Sequence, residues 1–407
     1  MVIPQIISDP SDCDVYKWSM SNFLFKKDYL REIVGWSFFN RNNTLFPIGF
    51  GAELKKQVES WRQLRFSDET LDYFAKTLYW LDYHYIWAYL KAYRFDVDCI
   101  KIASRAHGDY ETLDVSYEGE WGKVIFFEIF LLSTMTELYS IMRNLKAPEL
   151  LSEKEIKARN RKKFEQLAEN GAKVFEFGTR RRYSAYNQEM ILSQIIDEFP
   201  TAIMGTSNAY LAKKYKLTPI GTMGHELVMY MAAKYGPIMA NKLLMKEWVD
   251  VYQGALGIYL TDTYTTPHFL RGFDLLNSKL WDGVREDSAP DTDRYVDDII
   301  AHYIKHRIDP ATKTIVHSNG ICNLEKLIHM QKYRQNEIKK GFGVGTWLTH
   351  DVYSVDSGIK PIDWVIKMTH VYVDDKKKYC VKLSDTQGKV TYTDEGALQY
   401  YRHELGL

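Results

Sequence analysis

No two cysteines in this chain are spaced to clamp a metal or to read as a disulfide framework. Cys13, Cys99, Cys322 and Cys380 stand far apart, and none belongs to a CxxC pair. That pattern excludes a stapled secreted scaffold and a zinc module, and it favours a reducing, cytoplasmic setting. An excess of charge of one sign is missing too. Lys plus Arg and Asp plus Glu number 53 each, so no global field recruits nucleic acid or an acidic membrane, and phosphate binding has to be local. Nowhere do eighteen consecutive residues stay apolar, and the opening MVIPQIISDPSDCD has no basic segment ahead of a long apolar core. A soluble protein with neither membrane span nor targeting segment is expected. Repeats and low-complexity tracts are absent as well.

What the chain has in quantity is length and aromatic rings. Its 407 residues suffice for one large α/β domain and a smaller one around a buried core. Aromatics make up 14% of it, with 29 Tyr and 10 Trp, and the crowd in residues 61–95 suits a core or a subunit interface. Near the start, residues 9–26 pass from turn formers into a helical pattern with Tyr16, Ser19, Met20 and Phe23 on one face and Asp12 or Asp14 as the cap. REIVGWSFFNRNN reads as a strand, residues 68–93 as a helical region, and DYETLDVSYEG and WGKVIFF as strands ahead of a buried helix, EIFLLSTMTELYSIMRNL. This is an α+β layer, and its end is expected near Lys146-Ala147-Pro148. Ser152 and Glu155 then form a capping box for a charged helix.

From Ala172 the pattern turns regular. AKVFEF, TAIM, TPIGT, GIYLTDT, KLWDGV, KTIVHS and KKGFGV are seven short apolar segments separated by helical stretches, with Thr266-Pro267 as an N-cap and first-turn proline of one of them. Alternation of this kind demands a parallel sheet with helices outside, and at this size an irregular (β/α) barrel is favoured. Beyond Lys360-Pro361 the strand-like DWVIKMTHVYVD and YCVKLSD lead back to the first layer. The expected organisation is an α+β domain of residues 1–146, joined by residues 361–407, and a barrel domain of residues 147–360.

Residues 204–236 form the centre of the barrel segment, because they hold two strand-to-helix turns in succession. Each turn sets small polar residues at a helix N-terminus, where free N–H groups and the dipole favour an anion. His225 is the only titratable side chain in either turn. A positive helix end lowers its basicity and leaves it neutral and nucleophilic, although a His so placed also serves as a plain cap or packing residue. Polar residues recur at the ends of the other strands, in FGTRRR, TDTY, GVREDS, HSNG and GFGVGT, which is where a parallel α/β fold builds its site. Arg180 and Arg285 offer charged forks for phosphate or carboxylate. Asp262 and Asp287 suit orienting a histidine, binding ribose hydroxyls or holding Mg²⁺, and Gly343-Val344-Gly345-Thr346 permits close backbone approach to a phosphate.

The ordered series DVYKWSM, FEFGTRRRYS, GTSN, GTMGHE, TDTY, GVREDS, SNGICNLEK, FGVGT, PIDWVIKM and KLSD resembles the nicotinate phosphoribosyltransferases of NAD salvage over nearly the whole chain. The resemblance implies a type II phosphoribosyltransferase fold, a homodimer with shared active sites, and the formation of nicotinate mononucleotide and pyrophosphate from nicotinate and phosphoribosyl pyrophosphate. It also implies Mg²⁺, and ATP as a co-substrate hydrolysed through a phosphohistidine at His225. By the same resemblance Asp262 orients the imidazole, Tyr16 and Phe177 sandwich the pyridine ring, and Arg180, Ser207 and Asn208 surround base and ribose. Arg285, Asp287, Ser318 and the loop with Gly343, Gly345 and Thr346 fall around the phosphoribosyl group. Two places depart from the family pattern: its DSGDP is Asp287-Ser288-Ala289-Pro290 here, and its Ser-Asp is Ser318-Asn319. Ser207, where nicotinamide-using relatives carry a carboxylate, points to the acid. The competing readings are the same fold acting on nicotinamide or another base, and a non-catalytic phosphosugar-binding barrel.

Overall fold

The computed structural model describes residues 3–143, 149–359 and 362–407. Twelve strands build two six-stranded sheets among these residues. In chain order they are β1 Ile33–Asn40, β2 Phe46–Pro47, β3 Ile100–His107, β4 Tyr110–Glu120, β5 Val174–Glu176, β6 Ile203–Thr206, β7 Ile258–Leu260, β8 Gly283–Glu286, β9 Thr314–His317, β10 Lys339–Val344, β11 Trp364–Val373 and β12 Lys376–Tyr379.

The first sheet runs β12-β11-β1-β4-β2, with β3 hairpinned onto β4, and its ladders are antiparallel. β11 lies between β1 and β12, so the C-terminal segment does return to the N-terminal layer. A bulge at Gly35/Trp36 interrupts the β1–β11 register, where the His370 ring sits directly over Gly35 and a side chain on that glycine would overlap it. Both expected domain boundaries, 146/147 and 360/361, lie outside the described residues. One hydrophobic core runs from Ile6 to Leu405 and includes Tyr230, Trp248, Tyr259 and Val284 as well as Trp18, Trp36 and Trp364, so it joins the two sheets. A smaller core packs around β5 and β10 with Phe164, Leu192 and Phe342.

The second sheet is parallel throughout, in the order β6-β5-β10-β9-β8-β7. Six of the seven expected segments form ladders. The seventh, TPIGT, makes one isolated bridge, Thr206↔Pro219, through the Thr218 carbonyl and the Ile220 N–H, and Pro219 has no N–H to offer a strand on its other side. Its far end matters nonetheless: the Thr222 hydroxyl donates to the Ile258 carbonyl of β7 at 3.0 Å, so this segment links the two edges of the sheet.

Several other expectations shift. WGKVIFF is not a strand: Trp121–Val124 is helical and leads into the helix Phe127–Arg143. An apolar run interrupted by the exposed Lys123 alone has too little polar alternation to tell strand from helix. The stretch Trp121–Arg143 is long and apolar enough to cross a membrane, yet it lies buried inside the protein as a core helix. The helical region of residues 68–93 is broken into Asp68–Thr77 and the wide-turn helix Tyr85–Leu90, with Asp82 accepting from the N–H groups of His84 and Tyr85 to start the second piece. The cap of the helix Thr266–Gly272 is Thr265, one residue earlier than expected. YCVKLSD leaves the sheet after Tyr379, and Lys382 bridges Thr391 in a tight excursion over the parallel strand ends.

The candidate active site

A cavity of about 460 Å³ opens between the carboxyl ends of the parallel strands and the face of the antiparallel sheet carrying Trp36, Val365 and Lys367. Among the described residues lining it, Arg41, Arg180, Arg181, Arg285, Lys367, Lys382 and Lys389 outnumber Asp14, Glu128, Glu226, Asp287 and Asp363. That surplus of cations suits a ligand with several negative charges.

His225 stands at the first turn of the helix His225–Tyr235, which Gly236 ends in a left-handed conformation ahead of Pro237. Its Nε2 lies 2.9 Å from Asp287 Oδ2 and its Nδ1 3.0 Å from the Thr263 hydroxyl. A carboxylate can only accept, so the Nε2 proton points to Asp287 and the free electron pair is on Nδ1. Burial, assisted by the Lys382 charge, pushes the imidazole pKa down to about 4, so the ring is neutral at physiological pH. Asp262 does not orient the ring directly. Its nearest oxygen is 3.9 Å from Nε2, it accepts from the Ser288 hydroxyl and from Lys382 Nζ at 3.2 Å, and it stands outside the cavity lining. The carboxylate hydrogen-bonded to the histidine is Asp287. Burial opposes ionisation of Asp287, but its hydrogen bond to His225 and the Arg285 and Lys382 charges hold it well below the usual carboxylate range.

On the base side, Tyr16 and Phe177 both face the cavity. The Phe177 ring stacks on Phe175 at 5.9 Å and sits against Gly343, where any side chain would overlap it. Tyr16 donates its hydroxyl to Glu128 Oε2 at 3.3 Å. Arg180 forms long ion pairs with Asp14 at 3.8 Å and with Glu128 at 3.7 Å. Ser207 lines the cavity, but its hydroxyl donates to Asp14 Oδ1 at 2.7 Å. The serine is therefore not a free donor for a substrate carboxylate, and a carboxyl group already stands beside it. Nor does Asp14 cap its helix through the side chain, as expected of it. Asn208 is fully buried and outside the cavity lining: its side chain accepts from the Leu211 N–H as the helix cap and donates to Asp12 and Thr179, so it builds the turn.

On the far side, Arg285, Asp287, Ser318, Asn319, Gly343, Gly345 and Thr346 all line the cavity, as expected. Arg285 donates to the Met223 carbonyl at 3.0 Å and Ser318 to Asp287 Oδ1 at 3.1 Å. The two departures from the family pattern meet here, because Asn319 donates to the Ala289 carbonyl at 2.9 Å and accepts from Lys389 at 2.7 Å. Lys367, Lys382 and Lys389 were not assigned to the site from the sequence. PIDWVIKM and KLSD hold the first two as unremarked motif letters, and pattern reading does not show that the C-terminal excursion lands on the strand ends. Burial pushes the Lys367 pKa down to about 8.

His225, Asp262 and Asp287 bring one ligand atom each within 4.8 Å of one another. Asp262 Oδ1 is buried without a partner. Carboxylate oxygens of this kind fit a hard cation such as Mg²⁺.

These features define a class: an α/β enzyme site that gathers anionic ligands beside a neutral, carboxylate-oriented histidine. Comparison with known proteins makes it specific. The sequence matches the profile of the nicotinate phosphoribosyltransferase (NAPRTase) family over residues 172–407 and that of the NAPRTase N-terminal domain over residues 12–136. The nicotinate phosphoribosyltransferase of Desulforapulum autotrophicum is 36% identical over 386 residues, covering 94% of this chain and 95% of that one. That of Chromohalobacter salexigens is 35% identical over 382 residues, covering 93% and 94%. The crystal structure of nicotinate phosphoribosyltransferase from Porphyromonas gingivalis superposes with a TM-score of 0.91 at 31% identity, over 99% of this chain and 100% of that one. The chain belongs to the nicotinate phosphoribosyltransferase family, an enzyme family, which sets aside the reading of a non-catalytic barrel.

Proposed function

We propose that the cavity joins nicotinate to phosphoribosyl pyrophosphate, releasing nicotinate mononucleotide and pyrophosphate, and that ATP hydrolysis through a phosphohistidine at His225 drives the reaction. The observation that carries the proposal is the neutral His225 with Nε2 bonded to Asp287 in a wall of surplus cations. In the phosphorylation step Nδ1 gives up its hydrogen bond from Thr263 and forms a bond to the γ-phosphorus, the bond to the departing ADP breaks, and the proton stays on Nε2. Asp287 then balances the positive charge of the phosphorylated ring. In the transfer step nicotinate is clamped between Tyr16 and Phe177 with Arg180 near its carboxylate, and its ring nitrogen bonds to the anomeric carbon as pyrophosphate leaves. Arg285, Ser318 and the Gly343 to Thr346 loop hold the phosphoribosyl group.

Mg²⁺, when bound, would neutralise the leaving pyrophosphate, and Asp287, which lines the cavity with Asp262 buried behind it, is the residue that would hold it. A cytoplasmic homodimer with shared active sites completes the proposal. Large apolar side chains left exposed, among them Tyr79, Tyr83, Ile238 and Leu276, are available to such an interface. The Asp14 carboxyl beside Ser207 favours a second reading, in which a neutral amide base donates to that acid. A coupled assay of the purified protein with phosphoribosyl pyrophosphate and each base, with and without ATP, decides between them. Faster turnover of nicotinate, stimulated by ATP, is expected; preference for nicotinamide would replace the first reading by the second.

A further inference from the structure

Two of the acids lining the cavity, Glu128 and Glu226, belong to a buried ion triad that the reaction described above leaves without a task. Lys17 is fully buried, and its Nζ is 2.8 Å from Glu128 Oε2 and 2.7 Å from Glu226 Oε2. The ammonium also faces the Trp36 ring, 5.0 Å from the centroid. Each member of the triad adjoins a residue of the site. Lys17 follows Tyr16 on the helix Val15–Lys26, and Glu226 follows His225 at the start of its helix. Glu128, on the helix Phe127–Arg143, accepts from the Tyr16 hydroxyl and lies 3.7 Å from Arg180.

We infer that Lys17 is a positioning residue: by bridging Glu128 and Glu226 it holds the helix carrying Tyr16 in register with the helix that begins at His225, so that the base clamp and the histidine keep a fixed separation. The inference rests on the reading of the cavity as a nicotinate and phosphate site. Its physical ground is that two buried carboxyl groups stay ionised together only with a cation between them, and burial raises the Glu226 pKa to about 7 even with Lys17 in place. Glu128 has further cations, Arg180 and Lys367, within 4.0 Å, whereas Lys17 is the one cation that close to Glu226 among the described residues. The second oxygen of Glu226 is buried without a partner. Glu226 is thus the end of the triad that depends most on Lys17, and it is the end next to His225.

Three variants of the full-length protein test this: Lys17→Met, Glu226→Gln and the double variant carrying both. The measurements are the KM and kcat for nicotinate without ATP, the labelling of His225 from γ-labelled ATP, and Tm. Lys17→Met leaves two carboxylates facing each other, so nicotinate KM is expected to rise roughly tenfold and labelling to fall severalfold. The double variant removes the surplus charge and should return KM to within about threefold of wild type. Glu226→Gln alone keeps the Lys17–Glu128 pair, so it should lower labelling while leaving nicotinate KM within about twofold. Wild-type KM and labelling in Lys17→Met would overturn the inference, and so would a rise in nicotinate KM that the double variant does not relieve, which would mark Lys17 as packing alone. Wild-type protein that does not turn over nicotinate overturns the reading of the cavity instead. In that event Tm decides the bridge: it should drop in Lys17→Met and recover in the double variant, and equal Tm values in all three variants would refute it.

Discussion

At His225 the burial that keeps the ring neutral also ties its protonation to folding. The folded pKa is about 4 against an ordinary 6.5, so the unfolded chain binds the proton more readily. The stability this contributes is present above pH 6.5 and is lost as pH falls toward 4. The same depression keeps the nucleophile unprotonated, so the rate of labelling from ATP should stay flat from pH 8 to about 5. A rate that falls with a midpoint near 6.5 would show an ordinary, exposed histidine. Helix position alone pointed to neutrality in the sequence, whereas burial is the larger cause and is not visible there. Ser207 shows the opposite case. Its type was legible as a marker of the acid, but its bond to Asp14, 193 residues away in sequence, was not. Ser207→Asp would set a second carboxylate against the first. One of the two would take up a proton, so the loss in nicotinate kcat/KM should be about tenfold to a hundredfold, smaller than for two full charges about 4 Å apart, with nicotinamide affected less. An unchanged ratio of kcat/KM for the two bases would show that Ser207 does not influence base choice.

Among the elements, β10 does the most for the site, because its Gly343 leaves the space against the strand that the Phe177 ring occupies. Gly343→Ala would force that ring off its seat and misplace one wall of the base clamp. A stacking contact is worth on the order of 1 kcal/mol, so nicotinate KM should rise about fivefold with little change in Tm. An unaltered KM would mean that Phe177 does not stack on the base. GFGVGT suggested close backbone approach to a phosphate, and the glycine turns out to serve an aromatic neighbour first. Elements with clean periodicity and caps were readable: Ser152 and Glu155 make the capping box expected of them, and Gly236 with Pro237 ends the His225 helix. Elements without such marks were not. Trp121–Val124 has one polar residue, Lys123, too few to set a period, and TPIGT, which makes one bridge, holds a proline that fits a strand edge as well as a turn.

For the molecule as a whole, the alternation after Ala172 conveyed the parallel sheet, and the late strand pattern conveyed the return of the C-terminus to the first layer. What it could not convey is that the same return carries Lys382 to Asp262 and Lys389 to Asp287 and Asn319, since cross-sheet contacts leave no local period. The site is thus assembled from both ends of the chain over strand ends supplied by the middle. The account's central claim is that this assembly routes ATP through His225 into base transfer. Its most direct test is to incubate wild-type protein and His225→Ala with γ-labelled ATP, and then to follow nicotinate mononucleotide formation with and without ATP. Wild type should acquire an acid-labile, base-stable label and respond to ATP, while His225→Ala should acquire none and retain a slow synthesis indifferent to ATP; equal labelling of the two proteins, or equal stimulation by ATP, would contradict the account.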